Sequence, residues 1–177
     1  DPDAPVTIVE FSDYGCPYCA TYSEETWPQI KTDLVDTGRV RYVFKDFPLT
    51  SLHPKAPQAH AAARCAGDQG AYWAMHDRLF EEQSAWSGSS DPGAAFETMA
   101  AELGLEASSF ETCLESGDWE DAVDGDVAEG ASLGVRGTPT FFVNGYPLVG
   151  ARGFEFFEQV VQLAEEGTLG DAYRPTQ

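Results

Sequence analysis

Two cysteines stand two residues apart in "FSDYGCPYCATYSEETW" (11–27): Cys16 and Cys19, with Pro17 and Tyr18 between them. Such a pair can supply half of a metal site, staple the chain, or open and close as a dithiol–disulfide couple. A structural zinc site asks for four Cys or His ligands, commonly as two close pairs. The other cysteines, Cys65 and Cys113, are far apart in helical sequence, and His53, His60 and His76 fall at no standard ligand spacing. The histidines are therefore read as scaffold. A permanent staple closing so small a ring would restrict the unfolded chain little. Redox chemistry fits better. Cys16 falls between a strand end and a helix start, where unpaired N–H groups and the positive end of the helix dipole stabilise a thiolate. Pro17 suits the first helical turn and brings no N–H of its own. Cys19 follows about one turn later, within the roughly 4.4–6.8 Å Cα separation that a disulfide needs. This spacing predicts Cys16 exposed at the helix tip and Cys19 tucked behind it, an arrangement that permits attack, mixed disulfide and resolution.

The elements that must hold this pair can be read outward from it. "PVTIVEF" (5–11) is β-branched and nearly continuous, as a buried central strand should be. Glu10 is the odd residue in it, and a lone buried carboxylate needs a raised pKa or a partner. Lys45, on the next predicted strand, is one candidate partner. From Pro17 to about Asp36 the pattern is helical, with Pro28 a kink and Gly38 an end. "RVRYVFKDF" (39–47) alternates as a strand. Strand, helix, strand gives a βαβ unit with a parallel pair and right-handed crossover. Residues 50–133 then lose strand signals and read as four or five alanine-rich helices, with a start at Asp91-Pro92 and a capping box from Ser108 to Glu111. "TPTFFVNGYPLVG" gives a strand, an Asn144-Gly145 turn and a second strand. A final amphipathic helix covers 154–167, and the tail beyond it is expected to lack order. Strands at the two ends must come together to bury their faces. The expected architecture is α/β, with residues 1–49 and 134–177 forming one domain of order βαβ…ββα around a mixed sheet. Residues 50–133 form an inserted all-helical subdomain.

Bulk properties narrow the function classes. The 177 residues suit one compact domain with a subdomain. Thirty acidic and ten basic residues give a net charge of −20, a surface that repels nucleic acid and anionic membranes. Lysine occurs only at 31, 45 and 55. An acid-rich, lysine-poor surface is one adaptation to high salt, where screening removes self-repulsion; the alternative is simply an acidic protein. No apolar run approaches the roughly 20 residues that span a bilayer. The opening "DPDAPVTIVEF" carries no signal-peptide pattern, and a leader or anchor lost ahead of so short a start is compatible with it. Four cysteines fit an oxidising compartment.

"VEFSDYGCPYC", "GTPTFFVNG" and the helical stretch between them resemble the DsbA-like thiol–disulfide oxidoreductases of the thioredoxin superfamily, over roughly residues 5–167. The resemblance implies a thioredoxin fold with a helical insertion, active outside the cytoplasm, with a membrane tether in the full-length protein as one arrangement. Cys16 matches the family's attacking cysteine and Cys19 its resolving one. Pro139 matches a proline that is cis and faces the pair, which would leave the Thr138 backbone free to pair with an extended substrate. Glu10 matches a buried acid and would shuttle protons for Cys19. Cys65 and Cys113 are expected to form a structural disulfide, against the alternatives of two free thiols or a redox relay. Tyr14, Pro17 and Tyr18, with Phe142, are candidates for an apolar substrate surface.

The expected activity is disulfide formation or exchange in exported proteins. It would proceed through transient mixed disulfides with unfolded clients, with no cofactor or metal beyond the cysteine pair. A membrane quinone-linked reoxidase is the partner implied by resemblance. A reductase or isomerase, a glutathione-dependent glutaredoxin (which the long insertion argues against) and a non-catalytic peptide-binding module are the alternatives.

Overall fold

The structure is a computed structural model that describes residues 1–172. Strand β1 (Val6–Ser12) runs through the middle of a four-stranded sheet of order β2-β1-β3-β4. It pairs in parallel with β2 (Val40–Asp46) and antiparallel with β3 (Thr140–Val143), which pairs antiparallel with β4 (Tyr146–Val149). The sheet is therefore mixed, as its two sequence halves require: the βαβ half supplies the parallel pair and the hairpin half closes on β1. Asn144 and Gly145 both take positive φ (45° and 88°) and join Val143 directly to Tyr146, the geometry a two-residue hairpin loop demands.

Helix α1 (Pro17–Glu25) leads into α2 (Trp27–Ile30) and a π-helical turn over Lys31–Val35. The single kinked helix expected for 17–36 is thus broken into three. Pro28 has no N–H to continue the ladder, and the backbone departs from helix at Thr26 (φ −115°), whose hydroxyl donates to Arg152 O at 3.0 Å.

Six helices, rather than four or five, lie between β2 and β3: α3 (Ala56–Asp68), α4 (Tyr72–Glu81), α5 (Gln83–Gly88), α6 (Pro92–Glu102), α7 (Ala107–Ser116) and α8 (Glu120–Ser132). The short α5 escaped the periodicity; it is fixed by fully buried Trp86, whose indole donates to Leu79 O at 2.7 Å. Asp91 caps α6 as expected, accepting from Ala94 N–H. The cap of α7 is Glu106, not Ser108: its carboxylate accepts the N–H groups of Ser108 and Ser109, so the helix starts a residue ahead of the expected cap. After β4, α9 (Phe154–Glu165) covers the sheet, and Leu169–Ala172 forms a further short helix, α10, where no order was expected. Residues 173–177, the rest of that tail, lie outside the described residues.

Apolar burial divides into two main regions. One joins β1 and β3 to α2 and α9 through Val6, Ile8, Ile30, Leu34, Phe141, Phe157 and Val161. The other fills the inserted helices and runs without a break into the start of α1, taking in Tyr14, Cys16, Cys19 and Ala20 alongside Ala62, Leu79, Phe80 and Trp86. The insertion and the cysteine pair share a core, so the helices are placed to set the pair's surroundings.

Candidate active site

Cys16 occupies the junction that the sequence marks. It is the N-cap of α1, with extended backbone (φ −82°, ψ 124°), and Pro17 opens the helix. Its carbonyl accepts the N–H groups of Cys19 and Ala20, both at 3.1 Å, which starts the helical ladder and sets Cys19 one turn on. Both cysteines are free thiols.

The turn before Cys16 is held at every backbone N–H. Tyr14 N–H reaches His60 Nε2 (3.4 Å), Gly15 N–H donates to Asp13 Oδ1 (2.7 Å), and Cys16 N–H donates to Asp13 O (2.9 Å). Gln83, at the start of α5, donates to both Tyr14 O (2.6 Å) and Cys16 O (3.0 Å). Asp13 is fully buried and also accepts Leu49 N–H and bonds His53 Nδ1, each at 2.8 Å. Gly15 is required here because a Cβ would stand 2.5 Å from His53 Cβ. Behind this layer His60 Nδ1 meets Asp46 (2.5 Å), which Arg64 ties to Asp126. Sequence reasoning did not single out Asp13 or Gln83. Asp13 offered a signal, an acid in apolar sequence three residues before a cysteine; Gln83 offered none, because its contact is made across 67 residues.

Across the pair, the Thr138–Pro139 peptide bond is cis and Pro139 is buried. Thr138 O accepts a hydrogen bond from the Cys16 thiol at 3.4 Å. The two sulfurs are driven apart in acidity. The Cys16 thiol is lowered to about 5, first by a hydrogen bond from the Cys19 thiol, against the opposing effect of burial, and then by Thr138 and the backbone N–H groups of Cys19 and Tyr18. Burial, followed by the bond it gives Cys16, pushes Cys19 well above an ordinary thiol. The helix terminus acts as the sequence argument supposed, but the second sulfur does more.

Cys16 is less open than expected. It is 4% exposed and Cys19 fully buried, with the Thr138 carbonyl against the Cys16 sulfur and Gln83 bonded to the Cys16 carbonyl. Tyr14 is likewise not part of an open substrate surface: it is completely buried, stacked on Phe44 at 5.2 Å and packed against His60 and Phe80. Pro17 and Tyr18 are exposed, Tyr18 at 71%. Phe142 is half-buried and packs edge-on against Phe11.

Glu10 is 2% exposed, and burial raises its carboxyl to about 7, with the bond from Tyr42 and then the nearby Ser12 hydroxyl pulling the other way. Its partner is Tyr42, which donates to Oε2 at 2.6 Å and meets Tyr22 Oη at 3.0 Å. It is not Lys45. Register explains the difference: Glu10 lies opposite Phe44, on the face of Tyr42, whereas Lys45 lies opposite Phe11 on the other face. Lys45 there binds Asp126 (2.7 Å) and Glu129 (3.0 Å). Cys65 and Cys113 form a disulfide joining α3 to α7.

Residues 1–162 match the thioredoxin family. The chain is 40% identical over 167 residues to a Na(+)/H(+) antiporter NhaA of Salinispora arenicola, a match that spans 94% of this chain and 24% of that protein. The chain thus spans about a quarter of the length of the antiporter relatives it matches. It is 26% identical to disulfide bond formation protein D of Bacillus subtilis, over 95% of this chain and 75% of that one. Alpha-DsbA1 of Wolbachia pipientis shares the fold, with a TM-score of 0.84 at 23% identity, covering 98% of this chain and 92% of its own.

Proposed function

The chain belongs to the thioredoxin family, with the DsbA-type arrangement of sheet and helical insertion, and on that premise we propose that it is a protein thiol–disulfide oxidoreductase that forms disulfides in exported proteins. The observation that carries the proposal is the opposed acidity of two neighbouring sulfurs: Cys16 lowered to about 5 and Cys19 held as a thiol, beside a buried acid near 7. A thiolate that stable is a good leaving group, so the reaction favours the oxidised client. A client thiolate attacks Sγ of Cys16 in the Cys16–Cys19 disulfide. The new Cys16–client bond forms as the Cys16–Cys19 bond breaks, and Cys19 departs and takes the proton held by Glu10. A second client thiolate then attacks the client sulfur of the mixed disulfide, and Cys16 leaves as a thiolate. Two electrons pass from client to the cysteine pair, which serves without a separate cofactor or metal.

The Thr138 carbonyl beside Cys16 is placed to hold an extended client segment, and exposed Pro17 and Tyr18 offer it an apolar edge. An extracytoplasmic location is supported by the Cys65–Cys113 disulfide, since such bonds persist in oxidising compartments. Reoxidation by a membrane quinone-linked partner completes the cycle. No helix among the described residues is long and apolar enough to cross a membrane.

The test is to mix the oxidised protein with a reduced two-cysteine peptide and follow both by mass. One equivalent of peptide should be oxidised as the protein gains two thiols, and Cys16→Ser should do neither. A wild-type protein that leaves the peptide reduced would refute the proposal and favour a reductase or a non-catalytic binding module.

A further inference from the structure

The exchange proposed above requires a proton to pass between Cys19 and Glu10, both buried, and the end of β1 offers a hydroxyl for it. Ser12 ends β1 two residues after Glu10, so strand alternation puts both side chains on one face. It is completely buried, and its Oγ has no hydrogen-bond partner. A buried hydroxyl left unpaired is costly, and such groups call for a reason. The hydroxyl lies close enough to both Glu10 and Cys19 to lower the pKa of each, yet in the resting geometry it completes a bond to neither. Its backbone is fixed independently, since Ser12 O accepts Phe47 N–H at 2.8 Å, so only the side chain is free to turn.

We propose that Ser12 is the proton relay between Cys19 and Glu10. A hydroxyl can accept on one lone pair while it donates its own hydrogen, and so passes a proton without ionising. When Cys19 attacks a mixed disulfide at Cys16, the Cys19 proton moves to Ser12 Oγ as the Ser12 hydrogen moves to the Glu10 carboxylate. The Cys19–Cys16 bond forms, the Cys16–client bond breaks, and the client leaves as a thiolate. In the oxidising direction the same two protons run back and Cys19 departs as a neutral thiol. The titrating groups facing this path are Tyr42 from β2, Tyr22 from α1, Tyr14 after β1 and Cys16 itself. None of the ion pairs among the described residues includes Glu10, so no cation competes for its proton.

This inference rests on the proposed exchange chemistry, and the test separates the two. The mixed disulfide of Cys16 with a nitro-substituted aromatic thiol is formed, and release of the coloured thiol by Cys19 is followed from pH 5 to 9. Ser12→Ala should slow release at neutral pH by tenfold or more, within the range of lost acid–base catalysis, and should erase the inflection near pH 7. Alkylation of Cys16 against pH should not change, and Ser12→Thr, which restores a hydroxyl, should recover much of the rate. A Ser12→Ala rate equal to wild type at every pH overturns the relay. Should the variant fail to fold, wild-type release in H2O–D2O mixtures decides: a curved dependence on deuterium content marks two protons in flight, and a linear one overturns the proposal. If wild type releases no thiol at all, it is the exchange reading that has failed.

Discussion

Burial drives the Glu10 carboxyl up, and its bond from Tyr42, with the Ser12 hydroxyl close by, pulls it partway back, to about 7. The sign of the consequence for stability follows from linkage. Between the usual value near 4.5 and about 7 the folded protein keeps a proton that the unfolded chain loses. The contribution is therefore complete below 4.5 and is lost as pH rises through 7. Glu10→Gln removes that loss, so the variant should match wild type at pH 4 and exceed it at pH 8 by up to about 3 kcal/mol, read from urea midpoints. An equal difference at both pH values would contradict the burial argument. Tyr42→Phe, by deleting the 2.6 Å bond, should move the inflection in thiol release above 7; an unmoved inflection would show that Tyr42 does not tune the acid. Cys16 runs the other way. Alkylation of the reduced protein should be nearly constant from pH 8 down to 6 and fall about tenfold per unit below 5, with Cys19 unmodified. Of these residues Cys16, Cys19 and Glu10 stood out in the sequence because each breaks its local pattern. Tyr42 and Gln83 did not: a tyrosine on a strand and a polar residue on a helix are ordinary until the fold brings them against the pair, whereas Asp13 breaks its apolar surroundings and was passed over.

At the scale of elements, the inserted helices and the cysteine turn are one mechanical unit. Gly15→Ala would drive a Cβ into His53 Cβ, and should cost about 1–3 kcal/mol, as overpacking does, measured by thermal or denaturant unfolding. No loss of stability would mean the loop at 49–53 moves away freely. The Cys65–Cys113 bond closes a loop of 48 residues between α3 and α7. Its removal by the double change to alanine should cost up to about 4 kcal/mol in the chain-entropy model, with the Cys16 titration unchanged. A shifted titration would mean that α3 and α7 govern the site directly. Strand and hairpin chemistry was plain in the sequence, since alternation, Asn144-Gly145 and a proline at the first turn are local signals. Two of the features that were not legible depended on distant contacts: the break at Thr26 uses Arg152, and the Lys45 pairing follows from which face the parallel register gives it. The α7 cap is local, but there a glutamate serves in place of the expected serine.

For the molecule as a whole, a net charge of −20 and few lysines mean self-repulsion at low salt. Stability should rise as salt is raised towards about 1 M, where the screening length falls to about 3 Å. A flat response would show that the acidic surface is not under strain. The acidity difference between the sulfurs is also a global property, because it sets the balance of reduced and oxidised protein. The Cys16 contribution to the reduced fold is complete above the usual thiol value near 9 and is lost as pH falls through about 5, so the reduced form gains on the oxidised form across that window. At pH 7 the gain is roughly a hundredfold in the equilibrium, or about 60 mV towards oxidising power. The most direct test is the reduction potential of the Cys16–Cys19 couple at pH 7, measured against glutathione. The account predicts a value more positive than about −200 mV; one at or below about −270 mV, where thioredoxin lies, would contradict it.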